Sequence, residues 1–579
     1  MRPRRLSHAS PRGRIWQTAR RIGELDVFLT TILIFSFHFD SSDKIISYLC
    51  HIHTVGHFFC KQQMTEIFAA NGWLNTAISQ INNVLWTYIL VAVLIACAIL
   101  FTIKTRGVQF RMMGEMIRLL GDSTKKSHEK HVSSFEAFAV SIASRVGTGN
   151  LAGVATAIAV GGPGAIFWMW VIALLGSATA FVESTLAQLY KRKTEGSYIG
   201  GPAYYMMFGL HKRWMARLYA VLITVTFCMA YISIQSNTIC GAMQGAFGVK
   251  PWVMGILLVV LSTACVFGGI NRIAKVSSIF VPVMAVLYIL LAVVILAVNI
   301  QLVPRMFALI IENAFGFRQF TGGTFGAMMM TGIKRGLFSN EAGMGSAPNA
   351  AASASVSHPV KQGLVQTFSV FLDTIVICSC SAVMIMFFVS QDTGVIAWGG
   401  AAKDVALTNM GLVQAAMQSA YGQLGLHFMT IAIFAFAFSS LIGNYFYAES
   451  NFKFITDSKV ALAIFRLACC VVIFFGANSD LTLAWNLADI FMGIQATINI
   501  VVILILGKWA LKALDDYTAQ KQQGLDPVFV SDSIPGLPAT VCWHESREHL
   551  DDAYNAAPLD ERELPEDDPA EWTELISKP

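Results

Sequence analysis

Residues 133–160 read SSFEAFAVSIASRVGTGNLAGVATAIAV, an apolar stretch long enough to cross a bilayer whose middle resists the helix. Ala, Val, Ile and Phe fill both flanks, but the centre is Arg145-Val146-Gly147-Thr148-Gly149-Asn150. Each of its glycines weakens a helix by about 1 kcal/mol relative to alanine, so the pattern predicts a break. Inside hydrocarbon, non-helical backbone survives only where protein packs on it or where it lines a wet cavity. A discontinuous span offers the N-terminus of one half-helix to an anion and freed carbonyls to a cation, as secondary transporters do near the midplane. The competing reading is close helix packing, since Gly149 and Gly153 are spaced as in a GxxxG pair.

A second stretch favours the first reading. Residues 331–355 read TGIKRGLFSNEAGMGSAPNAAASAS, where Gly336, Gly343, Gly345 and Pro348 interrupt an apolar segment around Ser339-Asn340-Glu341. Interrupted spans at matching places in two halves of a chain point to a transporter site.

Composition bounds the class. Of 579 residues 55% are hydrophobic and 13% charged, with positive mean hydropathy, against about 25% charged in soluble domains. This is an all-α polytopic membrane protein whose surroundings are lipid, with no sign of a nucleic-acid partner. The 11 cysteines show no metal-ligand spacing and read as small buried hydrophobes. There is no GxxxxGK[ST] and no His/Cys cluster. Neither nucleotide-driven transport nor metal-dependent catalysis is indicated, no cofactor is called for, and an ion gradient or passive flow must drive any transport. The reading is of a non-enzyme.

In order along the chain, residues 1–75 form an extension expected to be peripheral, or mis-started ahead of Met64, because the apolar run Val27 to Phe37 is too short to span. A membrane helix at 84–103 and a basic connector at 104–132 follow. Residues 133–300 hold five spans, the first being the broken one, and 324–507 hold five more that again open on a broken member. About 11 spans result, in a one-plus-five-plus-five plan. Lys and Arg concentrate on alternate loops, beginning with the connector, which places those loops in the cytoplasm. The two sets of five are then inverted, a known transporter architecture. The tail, 508–579, turns acidic from Glu545 to Glu574 and is expected to be cytoplasmic and disordered at its end.

Within the spans, Ser439 and Ser440 lie side by side on an apolar helix, where hydroxyls plus freed carbonyls suit a small hard cation. The alternative is that each serine bonds back to its own helix. Among the ionisable residues in apolar segments, Glu341 and Asp373 are the candidates for facing the bundle interior.

At these residues the sequence resembles the alanine or glycine:cation symporter family, which includes bacterial sodium:alanine symporters. The motifs are SRVGTGNLAGVA (144–155), GGPGAIFWMW (161–170), YIGGPAYYM (198–206), RGLFSNEAGMGSAPNAAA (335–352), HPVKQGLVQ (358–366) and DTIVIC (373–378). The resemblance implies a leucine-transporter-type 5+5 inverted repeat with one extra N-terminal helix, located in a bacterial inner membrane. It also implies Na⁺-coupled uptake of a small neutral amino acid, chiefly alanine, with glycine or serine possible. By the same resemblance Thr148, Gly149, Asn150, Gln235, Phe338, Ser339, Asn340 and Gly343 bind the amino acid. Gly147 and Thr148 with Ser439 and Ser440 hold Na⁺ by fold-level analogy. Coupling to H⁺ or another cation stays open at this point.

Overall fold

The helices begin and end where local chemistry dictates. Ser133 caps the first broken helix through a capping box with Glu136, Ser458 caps a later one, and Pro163, Pro251 and Pro359 stand at helix starts, where a missing N–H costs nothing. The structure, a computed structural model, describes residues 80–82, 84–123, 132–194, 197–267, 269–315, 324–392, 410–478, 481–538, 540 and 542–543. The expectations for residues 1–75 and for the acidic end lie outside them.

We number the main helices α1 (Val91–Lys104), α2 (Met113–Ser123), α3 (Ser134–Arg145), α4 (Val154–Gly161), α5 (Gly164–Leu189), α6 (Arg213–Val225), α7 (Ile232–Phe247), α8 (Pro251–Val266) and α9 (Gly269–Val298). There follow α10 (Val303–Phe315), α11 (Thr324–Asn340), α12 (Ala347–Ser353), α13 (Pro359–Val370), α14 (Ser379–Asp392), α15 (Met410–Ile455), α16 (Lys459–Gly476) and α17 (Leu481–Gln522). A two-stranded hairpin, β1 (Arg192–Thr194) with β2 (Ser197–Ile199), follows α5. Among the described residues seven helices are long and apolar enough to cross a membrane, and three shorter apolar helices add to them. The chain is a multi-pass helical membrane protein.

The helices sort into two packed groups. In one, α5 runs against α11, α12 and α13; in the other, α15 lies along α6 and α7, and α8 packs on α16. Helix α3 joins the groups by touching α12 and α13 of the first and α15 of the second. After α17 the chain folds back: Lys361 pairs with Asp526 at 2.8 Å, Phe529 N–H donates to Ser357 O at 2.9 Å, and Trp543 donates to Gln188 O at 2.9 Å.

Three details differ from the sequence reading. Gly336 does not interrupt its span, because α11 continues to Asn340; a Cβ there would press on Ile172 and Met169, so this glycine serves close packing. The sequence reads as a long loop ahead of a span His427 to Glu449, but the chain is helical from Met410, with a kink at Gly422 where φ is +60°. The sequence also reads Gly268 to Lys275 as separating two spans, yet the chain is helical from Gly269 onward, as the opening turns of α9.

Candidate functional site

Both interrupted spans are broken, and in each case the hydrogen bonds explain the break. In the first, Val146 N–H still reaches Ile142 O at 2.8 Å, but the next donors leave the helix. Gly147 N–H goes to Asn150 Oδ1 at 3.0 Å and Thr148 N–H to Gln235 Oε1 at 3.1 Å, with the Thr148 hydroxyl donating to the same oxygen. The carbonyls those donors would have met belong to Ala143 and Ser144. Ser440 Oγ faces them instead, at 2.9 and 2.6 Å. A Cβ at Gly147 would collide with the Ser440 side chain, so only glycine allows this approach. Helix resumes as a π turn, Gly149–Gly153, that runs into α4.

The second break is longer. Glu341, Gly343 and Gly345 all have positive φ, at 54°, 83° and 83°, conformations that favour glycine and strain glutamate. Gly343 and Gly345 N–H donate to Glu183, at 3.2 and 3.1 Å, and Ala342 N–H donates to Asn340 Oδ1 at 3.0 Å. Asn499 donates to Gly343 O at 3.0 Å and the Tyr219 hydroxyl to Met344 O. The Glu341 carboxylate accepts from Ser346 at 2.6 Å and from Ser144, on α3, at 3.2 Å.

Asp373 joins the two breaks. It lies in a π-helical turn, Phe371–Cys378, between α13 and α14. Its Oδ1 accepts from Asn150 at 2.7 Å, and its Oδ2 accepts from Ser339 at 2.7 Å and from Thr374 at 2.8 Å. A third π turn, Thr226–Tyr231, brings Tyr231 onto Phe338, ring centroids 4.8 Å apart, and the Trp485 ring lies 4.7 Å from the same phenyl group. Such turns recur at functional sites. Beyond this aromatic stack Asp489 accepts both oxygens' worth of hydrogen bonds from Arg335, at 2.9 Å each, and pairs with Lys334 at 2.6 Å. Arg145 donates to Ser369, while its Nε and Nη2 are buried without hydrogen-bond partners.

The geometry thus gathers Thr148, Gly149, Asn150, Gln235, Phe338, Ser339 and Asp373. A Cβ on Gly149 would stand 3.0 Å from the Phe338 ring and 3.3 Å from Ser339 Cα. Gly343 is not among them: a Cβ there would face Thr179, Leu94 and Ile500. Asn340 caps the second break and its Nδ2 is buried without a partner. Ser439 donates to Phe436 O at 2.8 Å in its own helix, whereas Ser440 reaches the first break. Sequence reasoning did not assign Tyr231, Trp485, Ser144 or Asn499 to the site. Their only signal was polarity or aromaticity inside apolar spans, which packing alone also produces.

Comparison with known proteins identifies the family. The sequence model of the sodium:alanine symporter family matches residues 71–531. The chain belongs to that family. The probable sodium/glutamine symporter GlnT of Bacillus subtilis is 46% identical over 462 residues, covering 80% of this chain and 94% of that protein. The amino-acid carrier protein AlsT of the same organism is 46% identical over 476 residues, covering 82% and 99%. The sodium/alanine symporter AgcS of Methanococcus maripaludis is 36% identical over 435 residues, covering 74% and 94%. The sodium:alanine symporter family is one of membrane transporters and not of enzymes, so the chain is a cation-coupled amino-acid symporter and not an enzyme.

Proposed function

We propose that the protein is a Na⁺-coupled symporter of a small neutral amino acid, alanine first, with glycine or serine accepted, importing across a bacterial inner membrane by alternating access. The observation that carries this is the clasp of Asn150, Asp373 and Ser339 across the two broken helices, in a chain of the sodium:alanine symporter family. The architecture is read as 11 spans in a leucine-transporter-type 5+5 inverted repeat plus one, with a cytoplasmic C-terminal tail. In support, each set of helices opens on a broken member, and the broken halves are each shorter than a span.

The cargo's carboxylate takes the N–H groups that open the second half of the first broken helix, Thr148 to Asn150, where the helix dipole favours negative charge. Gln235 and Asn150 oxygens accept from its ammonium, so Gln235 exchanges its bonds to Thr148 for the cargo. Phe338, packed against Tyr231 and Trp485 and close to Gly149, leaves space for a short side chain only. Na⁺ sits by the first break with the Ala143 and Ser144 carbonyls and the Ser440 hydroxyl, and Gly147 permits that closeness; oxygen donors suit a hard cation. Thr148 and Ser439 complete this region. Because the ion and the cargo share one broken helix, each raises the other's affinity by the same factor.

Coupling to H⁺ is the second reading. It is favoured by Glu183, Glu341 and Asp373, all fully or nearly fully buried near the single guanidinium of Arg145, and by the name of a relative 39% identical, the sodium/proton-dependent alanine carrier of Bacillus sp. PS3. Uptake of labelled alanine into proteoliposomes under an imposed Na⁺ gradient or an imposed pH gradient, competed by glycine, serine, glutamine and D-alanine, separates the two and ranks the substrates. The Na⁺ reading expects accumulation with the Na⁺ gradient alone.

A further inference from the structure

The Na⁺ reading assigns no part to the buried carboxylate of Glu183. Glu183, on α5, is fully buried, and among the described residues no lysine or arginine forms an ion pair with it. Its oxygens face N–H groups instead: Gly343 N–H at 3.2 Å on Oε1, Gly345 N–H at 3.1 Å and Asn499 Nδ2 at 2.8 Å on Oε2. The Arg145 guanidinium acts on it from farther away. Two glycines of φ +83° turn those backbone donors the same way, which is how consecutive peptide groups make a concave anion-binding surface. Other contacts fix the donors in place. Asn499 also donates to Gly343 O at 3.0 Å, so its amide nitrogen cannot turn away from the glutamate, and the Tyr205 hydroxyl holds its oxygen.

We propose that Glu183 is a positioning residue: its carboxylate is the built-in anion of the cradle formed by the second break. It holds residues 341–345 unwound and keeps their N–H groups from a cargo carboxylate, which is left the first break alone. This rests on the transport reading for its consequence but not for its geometry. The negative charge matters as well as the shape. A glutamine at this position could keep the Gly345 and Asn499 donors on its amide oxygen, but its own NH₂ would then oppose the Gly343 N–H. An aspartate is one methylene too short to reach both glycines.

The test uses the full-length chain. Glu183→Ala empties the cradle while leaving its donors, a setting that a small carboxylate such as formate can fill. Alanine uptake by E183A in proteoliposomes is expected to fall about tenfold or more, since buried charge-assisted hydrogen bonds are lost, and sodium formate in place of sodium chloride is expected to restore part of it. E183Q, which keeps the volume and guards against simple misfolding of E183A, is expected to lose uptake without recovery by formate. Hydrogen–deuterium exchange of the peptide spanning 340–347 reads the cradle directly, without transport: exchange should quicken in E183A and slow again with formate. Unchanged exchange in that peptide, uptake by E183A within about twofold of wild type, or a loss in E183A that formate alters in neither readout overturns the proposal. If the wild-type chain itself shows no cation-driven uptake, the transport reading fails, while the exchange experiment still decides the role of Glu183.

Discussion

The two broken helices solve the same problem in opposite ways. The first is unwound only at Val146 and Gly147 before helix resumes, and its displaced groups are met by single side chains from elsewhere, namely Gln235, Asn150 and Ser440. The second is non-helical from Glu341 to Ser346, and a lattice of Glu183, Asn499, Tyr219, Asn340 and Asn349 engages its backbone from several helices. Gln235 spends both of its hydrogen bonds on Thr148 alone, so it can be traded for a ligand at little cost, because the bonds lost are replaced. At the second, Glu183 and Asn499 each hold several partners and cannot give one up without stranding the rest. The first break is therefore built to exchange partners, and the second to stay as it is.

This contrast is open to test, the largest effect first. Gly149→Ala places a methyl 3.0 Å from the Phe338 ring and 3.3 Å from Ser339 Cα, and alanine uptake should be abolished while membrane insertion, read by yield and detergent-extracted monodispersity, is retained. Normal uptake would remove Gly149 from the pocket. Ser440→Ala takes away the one hydroxyl that meets the Ala143 and Ser144 carbonyls. Its half-saturating Na⁺ concentration should rise about tenfold, which is about 1.4 kcal/mol, with Ser439→Ala rising less because that hydroxyl bonds within its own helix. Equal shifts would show that Ser439 turns toward the ion.

At the second break the expected signature is stability and not affinity. Tyr219→Phe removes the donor to Met344 O, which should lower unfolding stability by about 1 kcal/mol and leave the KM for alanine unchanged; a raised KM with unchanged thermal stability would reverse the assignment.

The smallest effect is far from both breaks, where Glu115 on α2 meets α17. Burial opposes its charge, but hydrogen bonds from Arg118 and Tyr517 and the cations of Arg118 and Lys521 outweigh it and hold the carboxyl down at about 2. A carboxylate with a lowered pKa stabilises the fold above its ordinary 4.5, and that contribution fades as pH falls from there toward 2. Glu115→Gln should therefore flatten the melting-temperature loss over that acid range, by well under 1 kcal/mol since such peripheral pairs contribute little. No change in the profile would mean that the contact carries no stability.

Much of this was legible in the residues. The breaks were readable because glycine acts locally, and the pairing of polar motifs across two halves of the chain had to mean a shared interior. The widths of the breaks were not readable. Gly336 looked like an interruption and is a packing contact, because whether a glycine breaks a helix depends on which neighbour presses against it, here Ile172 and Met169. Ser439 and Ser440 are adjacent in sequence but lie about 100° apart around the helix, so only one of them could face α3, and the sequence did not say which. Gly343 sat beside Asn340 in the motif, yet the positive φ values swing it toward Thr179 and Leu94. The role of Glu183 depends on donors from two distant segments and left no mark beyond an acid in an apolar span.

The central claim is that the first break binds an amino acid and a cation together. The most direct measurement is binding of alanine to the purified chain by isothermal titration calorimetry across a series of Na⁺ concentrations, repeated for Gly147→Ala. Affinity for alanine should rise with Na⁺ in the wild-type chain and lose that dependence in the variant, whose added methyl collides with Ser440. Alanine affinity that is the same in Na⁺ and in K⁺, or Na⁺ dependence that survives in the variant, would contradict the account.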